Sequence, residues 1–123
     1  MVVVVDDYRD SAESLARLLA RSGHQSQALF SCNELFSYLV SSSDGADLIV
    51  LDLHMPDIDG LECLRQLKAH RQWRDIPVVM YSADFQKTAM EQAMAAGARD
   101  FVVKGTVGWN ELLGILEKHI ANA

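Results

Sequence analysis

The chain has 123 residues, half of them hydrophobic and 23% charged, the balance of one ordinary domain with a core to bury. At this length roughly two thirds of the unfolded surface is hidden on folding, so neither a metal nor a disulfide is needed as a staple. Eleven Lys and Arg against seventeen Asp and Glu give a net charge of −6, which argues against nucleic acid held by phosphate neutralisation, and no apolar run approaches the roughly 18 residues that cross a bilayer.

Met1–Val5 is a β-branched run stopped by Asp6-Asp7, the mark of a strand buried on both faces. From Asp10 to Arg21, Ala12, Leu15, Ala16, Leu18 and Leu19 recur at helical spacing, with Gly23 as a C-terminal stop. Gln25–Phe30 is a weaker strand, and Ser31 or Asn33 caps a short helix reaching about Val40. A polar loop over residues 41–45 leads to Leu48–Leu51, a second apolar strand that ends at Asp52. A helix is expected from Gly60 to Ala69, and a strand over Ile76–Met80 with Pro77 at its entry. Asp84–Ala96 reads as a helix that Asp84 could cap, Phe101–Val103 as a short strand before Lys104, and Trp109–Ile120 as the last helix.

Five apolar strands alternating with five helices, without linker or repeat, predict a parallel sheet covered on both faces in a doubly wound α/β domain. In such sheets ligands bind beyond the carboxyl ends of the strands. There the sequence places Asp6 and Asp7, Asp52, Ser82 and Lys104: three carboxylates, a hydroxyl and an ammonium. Crowded carboxylates raise one another's pKa unless a cation joins them. A hard divalent ion such as Mg²⁺ resolves this, since it takes few carboxylates and completes its shell with water and phosphate oxygens. Taken singly, each residue has a plainer reading: Asp6-Asp7 as helix-start acids, Ser82 as a cap, Lys104 as a solvated lysine, Phe101 as core. Together, the set describes a carboxylate nucleophile in acyl-phosphate chemistry.

Four motifs carry a more specific resemblance: Val-Val-Asp6-Asp7, Leu51-Asp52-Leu-His-Met-Pro-Asp-Ile-Asp-Gly60, Val79-Met-Tyr-Ser82-Ala83 and Gly97-Ala-Arg-Asp-Phe101-Val-Val-Lys104. In this order, along essentially the whole chain, they resemble a response-regulator receiver domain. The resemblance implies a flavodoxin-like (βα)5 fold with strand order 2-1-3-4-5. It implies Asp52 as phosphoacceptor from a histidine kinase or histidine phosphotransfer protein. Mg²⁺, or Mn²⁺ in its place, would be bound by Asp6, Asp7, Asp52 and the His54 backbone carbonyl. Ser82, Ala83 and Lys104 would hold the phosphoryl group, and Phe101 would be the switch aromatic. His54 and Asp84, each two residues past a site residue, would tune hydrolysis of the phosphoryl group. The output surface would be the face built by the fourth helix, fifth strand and fifth helix, contacting a downstream protein or a fused effector, with homodimerisation on phosphorylation a further expectation. No direct nucleic-acid or membrane contact is expected.

On this reading residues 1–123 form a single cytoplasmic receiver domain, a signalling module that catalyses only its own phosphotransfer and dephosphorylation. Whether it stands alone or is cut from a longer regulator is left open. Cys32 and Cys63 form no CxxC motif and read as reduced packing residues. Gly105 stands where the family usually has proline, so the Lys104–Gly105 bond is expected to be trans, because a cis bond without proline costs about 2.5–4 kcal/mol. Trp109 reads equally as a hydrophobic cap or a partner contact. The competing function is a pseudo-receiver that binds partners without phosphorylation, although acceptor, acid pair and lysine are all present. An aspartate-nucleophile phosphatase fits less well, since its two acids belong in a DxD motif after the first strand. A flavin carrier fits poorly too, because the Asp6–Arg9 turn would repel a phosphate.

Overall fold

A computed structural model describes residues 1–43 and 45–121; Asp44 of the expected polar loop and residues 122–123 lie outside the described residues. The elements are β1 (Val2–Val5), α1 (Arg9–Arg21), β2 (Ser26–Leu29), α2 (Cys32–Ser41), β3 (Leu48–Leu51), α3 (Gly60–Ala69), β4 (Val78–Ser82), α4 (Lys87–Ala95), β5 (Asp100–Val103) and α5 (Trp109–Ala121). All five strands are parallel, in the order β2-β1-β3-β4-β5. This is the flavodoxin-like order expected from the sequence.

The side-chain alternation of a strand explains why Val2–Val5 is apolar throughout. Val2 and Val4 enter one core with Leu15 and Leu19 of α1 and Leu112 and Leu116 of α5. Val3 and Val5 enter the opposite core with Leu35 of α2, Leu64 and Leu67 of α3 and Ala93 of α4. β3 divides in the same way, Leu48 and Val50 against Ile49 and Leu51. The order reverses between β1 and β3, so a crevice opens at their carboxyl ends. Asp6, Asp7 and Asp52 follow those two strands.

Most boundaries fall within a residue or so of the sequence expectation, and the larger differences are at β4 and α4. β4 starts at Val78, not Ile76, because the Ile76 N–H closes a turn onto the Trp73 carbonyl at 3.0 Å and Pro77 has no N–H to offer. It ends at Ser82, which pairs with Val103, so Ser82 is the last strand residue and not the first beyond it. α4 starts at Lys87, with Gln86 as its N-cap, so Asp84 is not the cap. Its Oδ1 instead accepts the Gln86 N–H at 2.9 Å and its N–H donates to Ser82 Oγ at 3.2 Å, forming a turn that delays the helix. Ser31, not Asn33, caps α2, its Oγ accepting the Glu34 N–H at 3.1 Å.

The cysteines depart from expectation altogether. Cys32 and Cys63 are joined as a disulfide between α2 and α3, with Cα atoms 6.1 Å apart. The expected packing role holds, both being fully buried, but the expected reduced state does not: sequence spacing could not show that the first turn of one helix faces the first turn of the next. Among the described residues there is no cis peptide bond, so Lys104–Gly105 is trans. Gly105 has φ +84°, a region costly for other residues, and this turns the chain just after Lys104. No described helix is long and apolar enough to cross a membrane.

Candidate functional site

Parallel register brings the strand ends to a common edge. The Asp52 N–H donates to the Val5 carbonyl at 2.9 Å and the Asp6 N–H to the Leu29 carbonyl at 3.0 Å, so both acids leave the sheet at one level. Ligand oxygens of Asp6, Asp7 and Asp52 all lie within 4.8 Å of one another. Asp6 and Asp52 are buried, at 2% and 9% exposure, whereas Asp7 is exposed.

Lys104, from the end of β5, reaches across this edge. Its Nζ is 2.5 Å from Asp6 Oδ2 and 3.8 Å from Asp52 Oδ2. A second orienting contact is the ring of Tyr81, whose centroid lies 5.6 Å from the same Nζ. Burial raises the Tyr81 hydroxyl above its ordinary pKa, so it faces Lys104 as a neutral phenol. Tyr81 was not singled out from the sequence; its place one residue before Ser82 was the available signal.

The Asp52 carboxyl titrates at about 6, well above the ordinary aspartate value. Burial is the main cause, followed by the charge of Asp6; Lys104 and the Leu53 N–H, which donates to Asp52 Oδ1 at 2.8 Å, oppose it only in part. Three clustered carboxylates, two of them beside a single ammonium, offer the hard oxygens and the negative potential that a divalent cation takes, so the residues fit Mg²⁺.

Gly60 governs the backbone of Asp52. A Cβ there would collide with the Asp52 carbonyl and stand 2.7 Å from Leu53 Cα and 2.8 Å from the Leu53 carbonyl oxygen. Its bare backbone lets its N–H reach that Leu53 oxygen at 2.7 Å, where α3 starts under the Asp59 cap. The motif glycine therefore serves close approach, a function that the motif alone did not explain.

The remaining expected residues are arranged as follows. Ser82 is buried at 1% exposure beneath the Asp84 N–H, and Ala83 follows it in the exposed turn. His54 Nε2 and Asp84 Oδ2 meet at 2.8 Å across the mouth of the crevice. The Gln86 N–H and then His54 hold the Asp84 carboxyl below its ordinary range. A groove of about 160 Å³ runs past this pair, lined also by Leu61, Gln86 and Gln92. Phe101 stands apart from the polar cluster, buried in the core with Met80 and Ala93. Trp109 is half-exposed and shares a groove of about 350 Å³ with Ser14, Arg17, Leu18 and Arg21 of α1, so it does not simply close α5 into the core.

Comparison with known proteins agrees with this geometry. The family described as the response regulator receiver domain matches residues 2–117, and the chain belongs to it. It is 32% identical over 108 residues to the sensory/regulatory protein RpfC of Xanthomonas campestris pv. campestris, covering 86% of this chain and 15% of that protein. It is 34% identical over 103 residues to the response regulator MprA of Mycolicibacterium vanbaalenii, covering 84% of this chain and 43% of MprA. The chain thus spans less than half the length of either relative. The receiver domain of NtrX from Brucella abortus superposes with a TM-score of 0.89 at 26% identity, covering all of both chains. The protein is therefore a receiver domain of two-component signalling, a signalling module.

Proposed function

We propose that Asp52 accepts a phosphoryl group from the phosphohistidine of a histidine kinase or phosphotransfer protein. The observation that carries this reading is the buried Asp52 carboxylate, gathered with Asp6, Asp7 and Lys104 at one sheet edge. An Asp52 oxygen attacks phosphorus as the P–N bond to the donor imidazole breaks, leaving an acyl phosphate and a free imidazole. Asp6, Asp7, Asp52 and the His54 backbone carbonyl would hold Mg²⁺, or Mn²⁺ in its place, which neutralises the carboxylates and the incoming phosphoryl oxygens. Lys104 would exchange part of its contact with Asp6 for a phosphoryl oxygen. The Ser82 hydroxyl and Ala83 N–H would bind the others.

This exchange would move the loops after β4 and β5. Phe101, buried in β5 three residues before Lys104, would transmit the change to the α4–β5–α5 face as the switch aromatic. Exposed Phe85, Met90 and Met94 lie on or beside α4, where a downstream protein or fused effector, or a second phosphorylated copy, would read the state. His54 and Asp84, bonded at the crevice mouth, would tune the approach of hydrolytic water. Residues 1–123 would act as one cytoplasmic domain, with no direct contact to nucleic acid or membrane.

Acetyl phosphate with Mg²⁺ should add the mass of one phosphoryl group, and Asp52→Ala should abolish the addition. Beryllofluoride with Mg²⁺ separates this reading from a pseudo-receiver: a receiver binds it, and no binding would overturn the proposal.

A further inference from the structure

We propose that Cys32 and Cys63 form a reversible thiol–disulfide couple that sets how firmly the loop following Asp52 is held, and so how readily Asp52 is phosphorylated. This inference rests on the reading above twice: on the cytoplasmic placement for the reversibility of the couple, and on Asp52 as acceptor for its effect.

Both cysteines are fully buried, and a Cα separation of 6.1 Å lies within the span that a disulfide bridges without backbone movement. What matters is what the bond connects. Cys32 is the first residue of α2, and Cys63 lies in the first turn of α3. The loop 53–59, which leaves Asp52, is tied to both helix starts. Asp57 Oδ2 accepts the Asn33 N–H at 3.0 Å. Desolvation is the largest single influence on Asp57 and opposes its ionisation, yet the backbone N–H groups of Asn33, Ile58, Cys32 and Asp57 itself together outweigh it and hold the carboxyl below its ordinary range. At the other end the Cys63 N–H donates to the Asp59 carbonyl at 2.9 Å, and Asp59 Oδ1 accepts the Leu61 N–H at 2.7 Å. The disulfide closes this set into a ring that runs from Cys32 through Asp57 and Asp59 to Cys63. His54, whose carbonyl is assigned to the metal, lies on the same loop.

Disulfides in reducing compartments are mostly transient and redox-responsive, so a pair that can bond in a cytoplasmic receiver is a couple more than a brace. A low-molecular-weight disulfide such as oxidised glutathione balances the step. One cysteine thiolate attacks it and expels one glutathione thiolate. The second cysteine then attacks the mixed disulfide and expels the other. Two protein thiols and one oxidised glutathione thus yield the Cys32–Cys63 bond and two reduced glutathiones. Both sulfurs are shielded, so exchange must pass through opening of the first turn of α2, which makes it slow.

The test uses the unaltered chain equilibrated across oxidised and reduced glutathione mixtures. Alkylation and intact mass should show both thiols free at the reducing end and one intramolecular bridge at the oxidising end. Two free thiols throughout, or a bridge that survives every mixture, would overturn the couple. Hydrogen exchange should show amides 53–60 and 33–34 opening several-fold faster in the reduced form, and equal rates would overturn the clamp. Beryllofluoride with Mg²⁺ should bind several-fold more weakly to the reduced form. That difference should vanish in Cys32→Ala and in Cys63→Ser, and equal binding by the two forms would overturn the link to Asp52. If neither form binds beryllofluoride, the receiver reading and the regulatory link fall together, while mass and hydrogen exchange still judge the couple.

Discussion

Lys104 is paired with Asp6 more closely than with Asp52, at 2.5 Å against 3.8 Å. The ammonium is thus parked on a nearly inaccessible carboxylate beside Asp52. Its removal leaves Asp6 buried with like-charged neighbours, and breaking a buried pair from one side costs about 3–5 kcal/mol. Lys104→Met should therefore lower the urea midpoint of the metal-free protein strongly. Calorimetric titration should show Mg²⁺ binding tighter than in the unaltered chain, because a competing cation is gone, and beryllofluoride binding weaker.

Asp52 carries a pH signature of its own. Its pKa in the folded, metal-free protein is raised to about 6, above the value of 3.8 expected when unfolded. The folded state binds the proton more tightly, so this group's stability contribution is complete below pH 3.8 and is lost as pH rises through 6. The loss is on the order of 3 kcal/mol. Asp52→Asn removes it. The variant should exceed the unaltered chain in melting temperature at pH 8 and match it near pH 4, and Mg²⁺ should narrow the gap at pH 8. A gap that does not change with pH would contradict the assignment.

Gly60→Ala places a methyl group against the backbone of Asp52 and Leu53. Overpacking of this kind costs about 1–3 kcal/mol, and the obstacle here is main chain, which yields least. Denaturant unfolding should show a loss in that range or beyond. Phosphorylation by acetyl phosphate should slow more than stability alone explains, since the acceptor itself is displaced.

His54 and Asp84 make a prediction about lifetime. The imidazole is bonded to the Asp84 carboxylate at the crevice mouth, across the approach of a hydrolytic water. His54→Ala removes the ring and frees that approach. Loss of the phosphoryl group from Asp52 should then run several-fold faster than in the unaltered chain. An unchanged rate would sink the idea.

Reduction of Cys32–Cys63 opens a loop with a sequence separation of 31. Chain entropy assigns such a cross-link roughly 3–4 kcal/mol. A reducing agent should lower the melting temperature of the unaltered chain and leave that of Cys32→Ala unchanged.

The fold was legible because burial on both faces writes its own pattern. Val2–Val5 and Leu48–Leu51 are apolar without alternation, and the helices between them carry single apolar stripes. The acids and Lys104 were legible because a parallel sheet must collect whatever follows its strands. What escaped was set by contacts between elements. The start of α4 depends on an Asp84 turn that competes with a helix cap, and the start of β4 on a turn closed by Ile76. The role of Gly60 depends on how near α3 passes to β3. The Cys32–Cys63 bond depends on the facing of two helices separated by a whole strand, which no local period encodes.

The Asp57 carboxylate has a consequence for transplantation. It leaves the loop after Asp52 to accept the Asn33 N–H in the first turn of α2, while Asp59 two residues later caps α3. The string from Asp52 to Gly60 is thus written in two hands, one composing its own strand-to-helix passage and the other finishing a helix that began earlier in the chain. A designer who grafts this segment onto another sheet carries over only half of its grammar unless Ser31, Cys32 and Asn33 travel with it.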